Sequence, residues 1–109
     1  MFGKGAMNQA MKQAKVMQEK MSKAQEELKH MEVTGQSGGG MVKVVANGQR
    51  DIISINLNKE ILNEEKDMIE DLILTAVNQA LGSAKDESEK KMSSITGGML
   101  GGLNLPGMM

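Results

Sequence analysis

Met41-Val42-Lys43-Val44-Val45-Ala46, then Asn47-Gly48, then Ile52-Ile53-Ser54-Ile55-Asn56-Leu57 is the stretch whose reading sets the fold. Two β-prone runs flank an Asn-Gly pair, the strongest short-range hairpin signal, because a type I′ turn needs positive φ at both central positions. Upstream, Val33-Thr34-Gly35-Gln36-Ser37 gives a third run, and Gly38-Gly39-Gly40 supplies the reversal between them. A three-stranded antiparallel meander is expected. On its last strand, alternation puts Ile53, Ile55 and Leu57 on one face and Ile52, Ser54 and Asn56 on the other. One face is apolar and should carry helices.

Before the meander, Met7, Ala10, Ala14, Met17, Met21, Ala24, Leu28 and Met31 recur at alternating steps of three and four, an a/d seam. The segment has no Pro, no Gly after Gly5, and many good helix formers. A helix of about 25 residues follows, roughly 37 Å long. Its seam of Met, Ala and Leu lacks the β-branched residues that would fix an oligomer number.

After the meander, Asn58 is a candidate cap for a short turn at Lys59 to Leu62. Asn63 is a candidate cap for the next helix, with Glu64, Glu65 and Asp67 at its positive dipole end. Ile69, Leu72, Ile73, Ala76, Val77, Ala80, Leu81 and Ala84 form its apolar stripe. Gly82 weakens this helix without ending it, and helical composition continues through Met92. From Ser93 the sequence turns Gly-rich and is expected to lack regular structure. The expected organisation is α+β: a long N-terminal helix, a three-stranded antiparallel meander and a C-terminal helix in one domain over 1–96, with a flexible Gly/Met-rich tail at 97–109.

Composition narrows the function. The 109 residues include twelve Met, one aromatic (Phe2) and no Cys or Trp, which removes disulfides, thiolate metal sites and cysteine nucleophiles. Met fills adaptable interfaces better than it specifies a rigid core, so a core shared with a second chain is expected. No apolar run approaches the roughly 20 residues of a membrane span, and no secretory leader is evident. A soluble, cytoplasmic chain without a membrane partner is expected.

Net charge is −1, but charge is segregated. Residues 1–31 hold Lys4, Lys12, Lys15, Lys20, Lys23 and Lys29 against Glu19, Glu26 and Glu27, whereas acids outnumber lysines over 59–91. On a wheel of 100° per residue, Lys12, Lys15, Lys20 and Lys23 fall within about 140° opposite the Met/Ala seam. Such a stripe is either a solvated face or a phosphate-binding one.

Catalytic groups are sparse. His30 is the sole imidazole and has only carboxylates near it in sequence, too few ligands for a zinc site. Gly38-Gly39-Gly40 precedes a strand and lacks the Lys-Ser/Thr of a phosphate loop. The acids Glu64, Glu65, Asp67, Glu70 and Asp71 do not follow a calcium-loop pattern. Ser93-Ser94 has no nearby base. No enzymatic activity, catalytic residue, metal or cofactor is expected.

Taken in order, the Lys/Met/Gln-rich first helix, Gly35-x-x-Gly38-Gly39-Gly40-x-Val42-x-Val44, Asn47-Gly48, Ile53-x-Ile55, Asp71-Leu72-Ile73, Ala76-Val77-Asn78-Gln79-Ala80, and Thr96-Gly97-Gly98 with Leu105-Pro106-Gly107 form a fixed series. The chain resembles the YbaB/EbfC family of bacterial nucleoid-associated proteins over essentially its whole length. The resemblance implies a tweezer-like homodimer that binds double-stranded DNA with low sequence selectivity at the nucleoid, with no small-molecule substrate. With DNA as the expected partner, Lys12, Lys15, Lys20 and Lys23 are the candidate contacts, gripping backbone rather than reading base edges. The alternative in another class is a prefoldin-like coiled-coil scaffold that binds proteins and not nucleic acid.

Overall fold

The computed structural model describes residues 4–101. In chain order it comprises α1 (Lys4–His30), β1 (Glu32–Ser37), β2 (Val42–Asn47), β3 (Ile52–Leu57) and α2 (Lys66–Gly101), with short 3-10 turns at Gly38–Gly40 and Lys59–Asn63. The strands form one antiparallel sheet in the order β1-β2-β3, the meander expected from the sequence. Gly38, Gly39 and Gly40 have φ of 60°, 67° and 94°. A reversal with three successive left-handed residues is open only to glycine at low cost.

The β2–β3 turn departs from expectation. Neither Asn47 nor Gly48 has positive φ; the left-handed residue is Arg50, at φ 68°. The Arg50 N–H donates to the Asn47 carbonyl (3.0 Å) and the Asn47 N–H to the Asp51 carbonyl (2.9 Å). This is a three-residue loop with a left-handed last position, not a two-residue type I′ turn. Asn47 frames it from inside: its Oδ1 accepts from the Gln49 N–H (2.9 Å) and the Asp51 N–H (3.0 Å), and its Nδ2 donates to Asp51 Oδ2 (3.2 Å). Gly48 serves contact instead. Its N–H donates to the Leu28 carbonyl at 2.8 Å, and a Cβ there would stand 2.7 Å from Leu28 Cδ2.

The core is small and lies between the sheet and α2. Val42, Val44 and Ala46 of β2, Ile61 of the connecting turn, and Ala76 and Ala80 of α2 are fully buried. Ile69, Leu72, Ile73 and Val77 pack around them, so the expected apolar stripe is the one that faces the sheet. Helix and strand approach closely at Gly35 of β1. A side chain there would overlap the Ala76 carbonyl oxygen and lie 2.5 Å from the Ala80 amide nitrogen. Two further bonds fasten β1 to α2: the Gln36 N–H donates to Gln79 Oε1 (2.6 Å) and Ser37 Oγ to the Leu72 carbonyl (2.5 Å).

Because α2 lies over β1 and β2, β3 is left largely uncovered. A bulge sets Ile52 opposite Ala46, while Ser54 faces Val45 and Ile55 faces Val44. Strict alternation would have grouped Ile52 with Ser54 and Asn56; the extra residue, Ile53, moves it into register with the buried face. Ile52, Ile53 and Ile55 nevertheless remain exposed.

Both ends of α2 correct the sequence reading. Asn58 caps as expected, its Oδ1 accepting from the Glu60 N–H (3.0 Å). Asn63, expected to cap α2, instead ends the 3-10 turn. The helix starts at Lys66, and its first bond runs from the Ile69 N–H to the Glu65 carbonyl (3.0 Å). At the other end, helix continues through Ser93 to Gly101, past the limit at Met92 suggested by composition. The glycines at 97 and 98 cost about 1 kcal/mol each in a helix, which weakens it without forcing a stop. Thr96 Oγ1 donates to the Met92 carbonyl at 3.0 Å, a bond that needs helical backbone. Residues 102–109 of the expected tail lie outside the described residues.

Candidate nucleic-acid interface

A 27-residue α1 is about 40 Å long, but only its last turns are packed. Ala24 and Leu28 are buried, whereas Met7, Met11, Val16 and Met21 of its first two thirds are exposed, Met7 at 70%. The molecule measures 75 × 29 × 16 Å and has a radius of gyration of 20.9 Å. A compact chain of this length would have about 13 Å. The first helix is thus an arm fixed at one end. Of the Met/Ala seam only Ala24 and Leu28 are buried among the described residues, so most of it stays uncovered.

The four candidate lysines divide between two settings. Lys12 and Lys15 are exposed on the free arm. Lys20 and Lys23, also exposed, border a cleft at the junction with α2, together with Ala24, Glu27, Lys91, Ser94 and Ile95. The junction is tied by an ion pair between Lys91 of α2 and Glu27 of α1. The hydrogen bond and charge of Lys91 hold the Glu27 carboxyl below its ordinary range, with a smaller contribution from Lys23.

Two further lysines of α2 pair along their own helix, while Lys66 takes part in no ion pair among the described residues. Lys85 lies 4.0 Å from Glu89, and Lys90 lies 4.0 Å from Glu87. Lys12, Lys15, Lys20 and Lys23 take part in no ion pair among the described residues. The four candidate lysines of α1 thus differ from Lys85, Lys90 and Lys91 of α2, each of which stands near a carboxylate.

On its other flank α1 meets the β2–β3 turn. Gln49 Nε2 donates to the Gln25 carbonyl at 3.0 Å. An open groove of about 620 Å³ runs beside this contact, lined by Ala14, Met17, Gln18, Met21, Ser22, Gln25, Glu26 and Gln49. A turn of Asn47-Gly48 alone leaves no residue to make this contact. The four residues between Asn47 and Ile52 were the signal for a longer one.

His30 Nε2 donates to Glu26 Oε1 at 3.1 Å on an exposed helix face. Among the described residues no group of three or more His, Asp and Glu side chains could hold a metal ion, and no helix is long and apolar enough to cross a membrane.

A long helical arm on a small antiparallel sheet, backed by a second helix, makes an α+β fold. Residues 3–99 match the YbaB/EbfC DNA-binding family, and the chain belongs to that family. It is a family of nucleoid-associated DNA-binding proteins and not of enzymes. Among solved structures, the chain is similar to the uncharacterized protein HP0035 from Helicobacter pylori. The two share 26% identity and a TM-score of 0.61, over 73% of this chain and 93% of that one.

Proposed function

We propose that the protein acts as a homodimer at the nucleoid, in the cytoplasm, and holds double-stranded DNA by its backbone with little sequence selectivity. The contacts are Lys12, Lys15, Lys20 and Lys23. One observation carries the reading: these ammonium groups are exposed and, among the described residues, unpaired along α1, while Lys85, Lys90 and Lys91 each face a carboxylate. Lysine binds phosphate as a point charge and discriminates bases poorly without Arg, Asn or Gln beside it. Membership in a DNA-binding family favours this reading over a protein-binding scaffold.

Dimerisation is supported by apolar surface that one chain leaves open. The arm exposes Met7, Met11 and Met21, and β3 exposes Ile52, Ile53 and Ile55. A second copy covering these groups would duplicate the basic arm at a fixed separation. Affinity for an arbitrary duplex, measured against salt beside the native mass, tests both parts. If each protomer neutralises about three phosphates, log affinity against log salt should fall with a slope of roughly −5. A stable 11.7 kDa monomer, or affinity independent of salt, would overturn it.

A further inference from the structure

The chain has thirteen basic residues, and Arg50 is the only arginine among them. It sits at the tip of the β2–β3 hairpin, exposed, and is the only non-glycine with positive φ among the described residues. The last position of such a loop is one where glycine is the unstrained choice and Asn or Asp the next. A long cationic residue there costs stability that glycine would not. The loop itself gains nothing from an arginine side chain: it is built from Asn47, whose side chain binds the Gln49 and Asp51 amides and the Asp51 carboxylate.

Arg50 also belongs to no ion pair among the described residues, and its neighbour Asp51 is engaged by the Asn47 amide. Its backbone is nonetheless firmly placed. The tip is pinned to α1 by the Gly48 N–H on the Leu28 carbonyl and by Gln49 on the Gln25 carbonyl. A guanidinium on a rigid, narrow tip is pre-organised for insertion into a surface, since little ordering remains to be done on binding. Its neighbour Gln49 borders a groove with Gln18, Ser22 and Gln25 of α1, residues on one helical line that runs outward to Lys15 and inward to Lys29. Arg and Gln are the side chains that pair with base edges, and Arg also enters narrow minor grooves.

We propose that Arg50 enters a groove of the bound duplex and supplies the sequence preference that the lysines of α1 do not. This rests on the DNA-backbone reading above and adds the reader to it. The lysines set the salt dependence; the hairpin tip sets the ranking of duplexes.

The test is fluorescence anisotropy with three duplexes of equal length, one of A-tracts, one G·C-rich and one of mixed sequence, at matched salt. The proteins are the native chain, Arg50→Lys, Arg50→Gly and the triple change of Lys12, Lys15 and Lys23 to Gln. The native protein should separate its best and worst duplex by about fivefold or more, and the preferred duplex identifies the groove entered. Arg50→Lys should erase the ranking with the salt slope unchanged. Arg50→Gly should erase it with a melting temperature equal to or above the native one. The triple lysine change should weaken all three duplexes alike and keep the ranking. Equal native affinity for all three duplexes, or a ranking that survives Arg50→Lys, overturns the inference and leaves the backbone reading standing. Failure of the native protein to bind any duplex overturns the backbone reading itself.

Discussion

Gly35 lies directly against Ala80: a Cβ on the strand residue would stand 2.5 Å from the helix residue's amide nitrogen and 3.0 Å from its Cβ. The contact fixes the height of α2 above the sheet, and so the depth of a core built from two valines, one isoleucine and three alanines. Gly35→Ala should therefore lift the helix from the strand. The expected loss is about 3 kcal/mol or more, at the upper end of overpacking costs, seen as a melting temperature lower by about 10 °C or more. Gly82→Ala is the matched control, since nothing lies within 4 Å of a Cβ there. It should raise stability by about 0.5–1 kcal/mol through helix propensity. Equal melting temperatures for the two variants would contradict the close packing.

Leu28 anchors the arm and is buried to 1% exposure. Leu28→Ala should cost about 2–5 kcal/mol in chemical denaturation. Leu72→Ala, at a half-buried site on α2, should fall at or below the lower end of that range.

The Glu27–Lys91 pair gives a pH signature. Glu27 titrates below its ordinary range because Lys91 donates to its carboxylate and faces it with a positive charge. The folded state thus favours the ionised form, and the stabilisation is present above the unfolded carboxyl pKa and lost as pH falls through the folded one. The pair is open to solvent, so the effect belongs in a carboxyl NMR titration more than in a melting curve. Lys91→Met should return the Glu27 midpoint toward the ordinary value. An unchanged midpoint would mean that another group depresses it.

The two apolar exposures give a test of assembly. Met21→Glu and Ile55→Glu alter side chains that are 42% and 48% exposed in one chain. In a monomer each change would be nearly silent. In a dimer that covers these faces, each should shift the native mass toward a single chain and lower the melting temperature in a concentration-dependent way.

Replacing Lys12, Lys15, Lys20 and Lys23 together by Gln should flatten the salt slope of DNA affinity and leave the melting temperature unchanged, because among the described residues none of the four is buried or paired. The same change at Lys85 and Lys90, which already face Glu89 and Glu87, should leave the slope nearly intact. A slope carried by the second pair would move the DNA face to α2.

Much of this architecture is legible in the chain because its signals are local. The three- and four-residue spacing from Met7 to Leu28 specifies a helix, three adjacent glycines specify a reversal, and Asn58 specifies a cap. Where reading failed, a distant contact decided. Gly48 looked like a turn glycine and is a contact glycine, for the reason that Leu28 lies against it. Gly35 in mid-strand and Ala76 with Ala80 one turn apart meet in the fold, but nothing local in the chain says so. The end of α2 was misplaced because glycine lowers helix stability by increments and does not terminate a helix outright. For the interface, counting along α1 gave the lysine arc. That Lys20 and Lys23 would border Lys91 of α2 depended on how two helices cross, which a wheel does not contain.

An arm held at one end behaves as a lever. From Leu28, pinned through the Gly48 amide, to Met7 is about 31 Å of helix at 1.5 Å per residue. A tilt of about 10° at that fulcrum sweeps the tip through roughly 5 Å, comparable with the rise of a full helical turn. Small adjustments at a hairpin of three residues are thus magnified into changes of reach at Lys12 and Lys15.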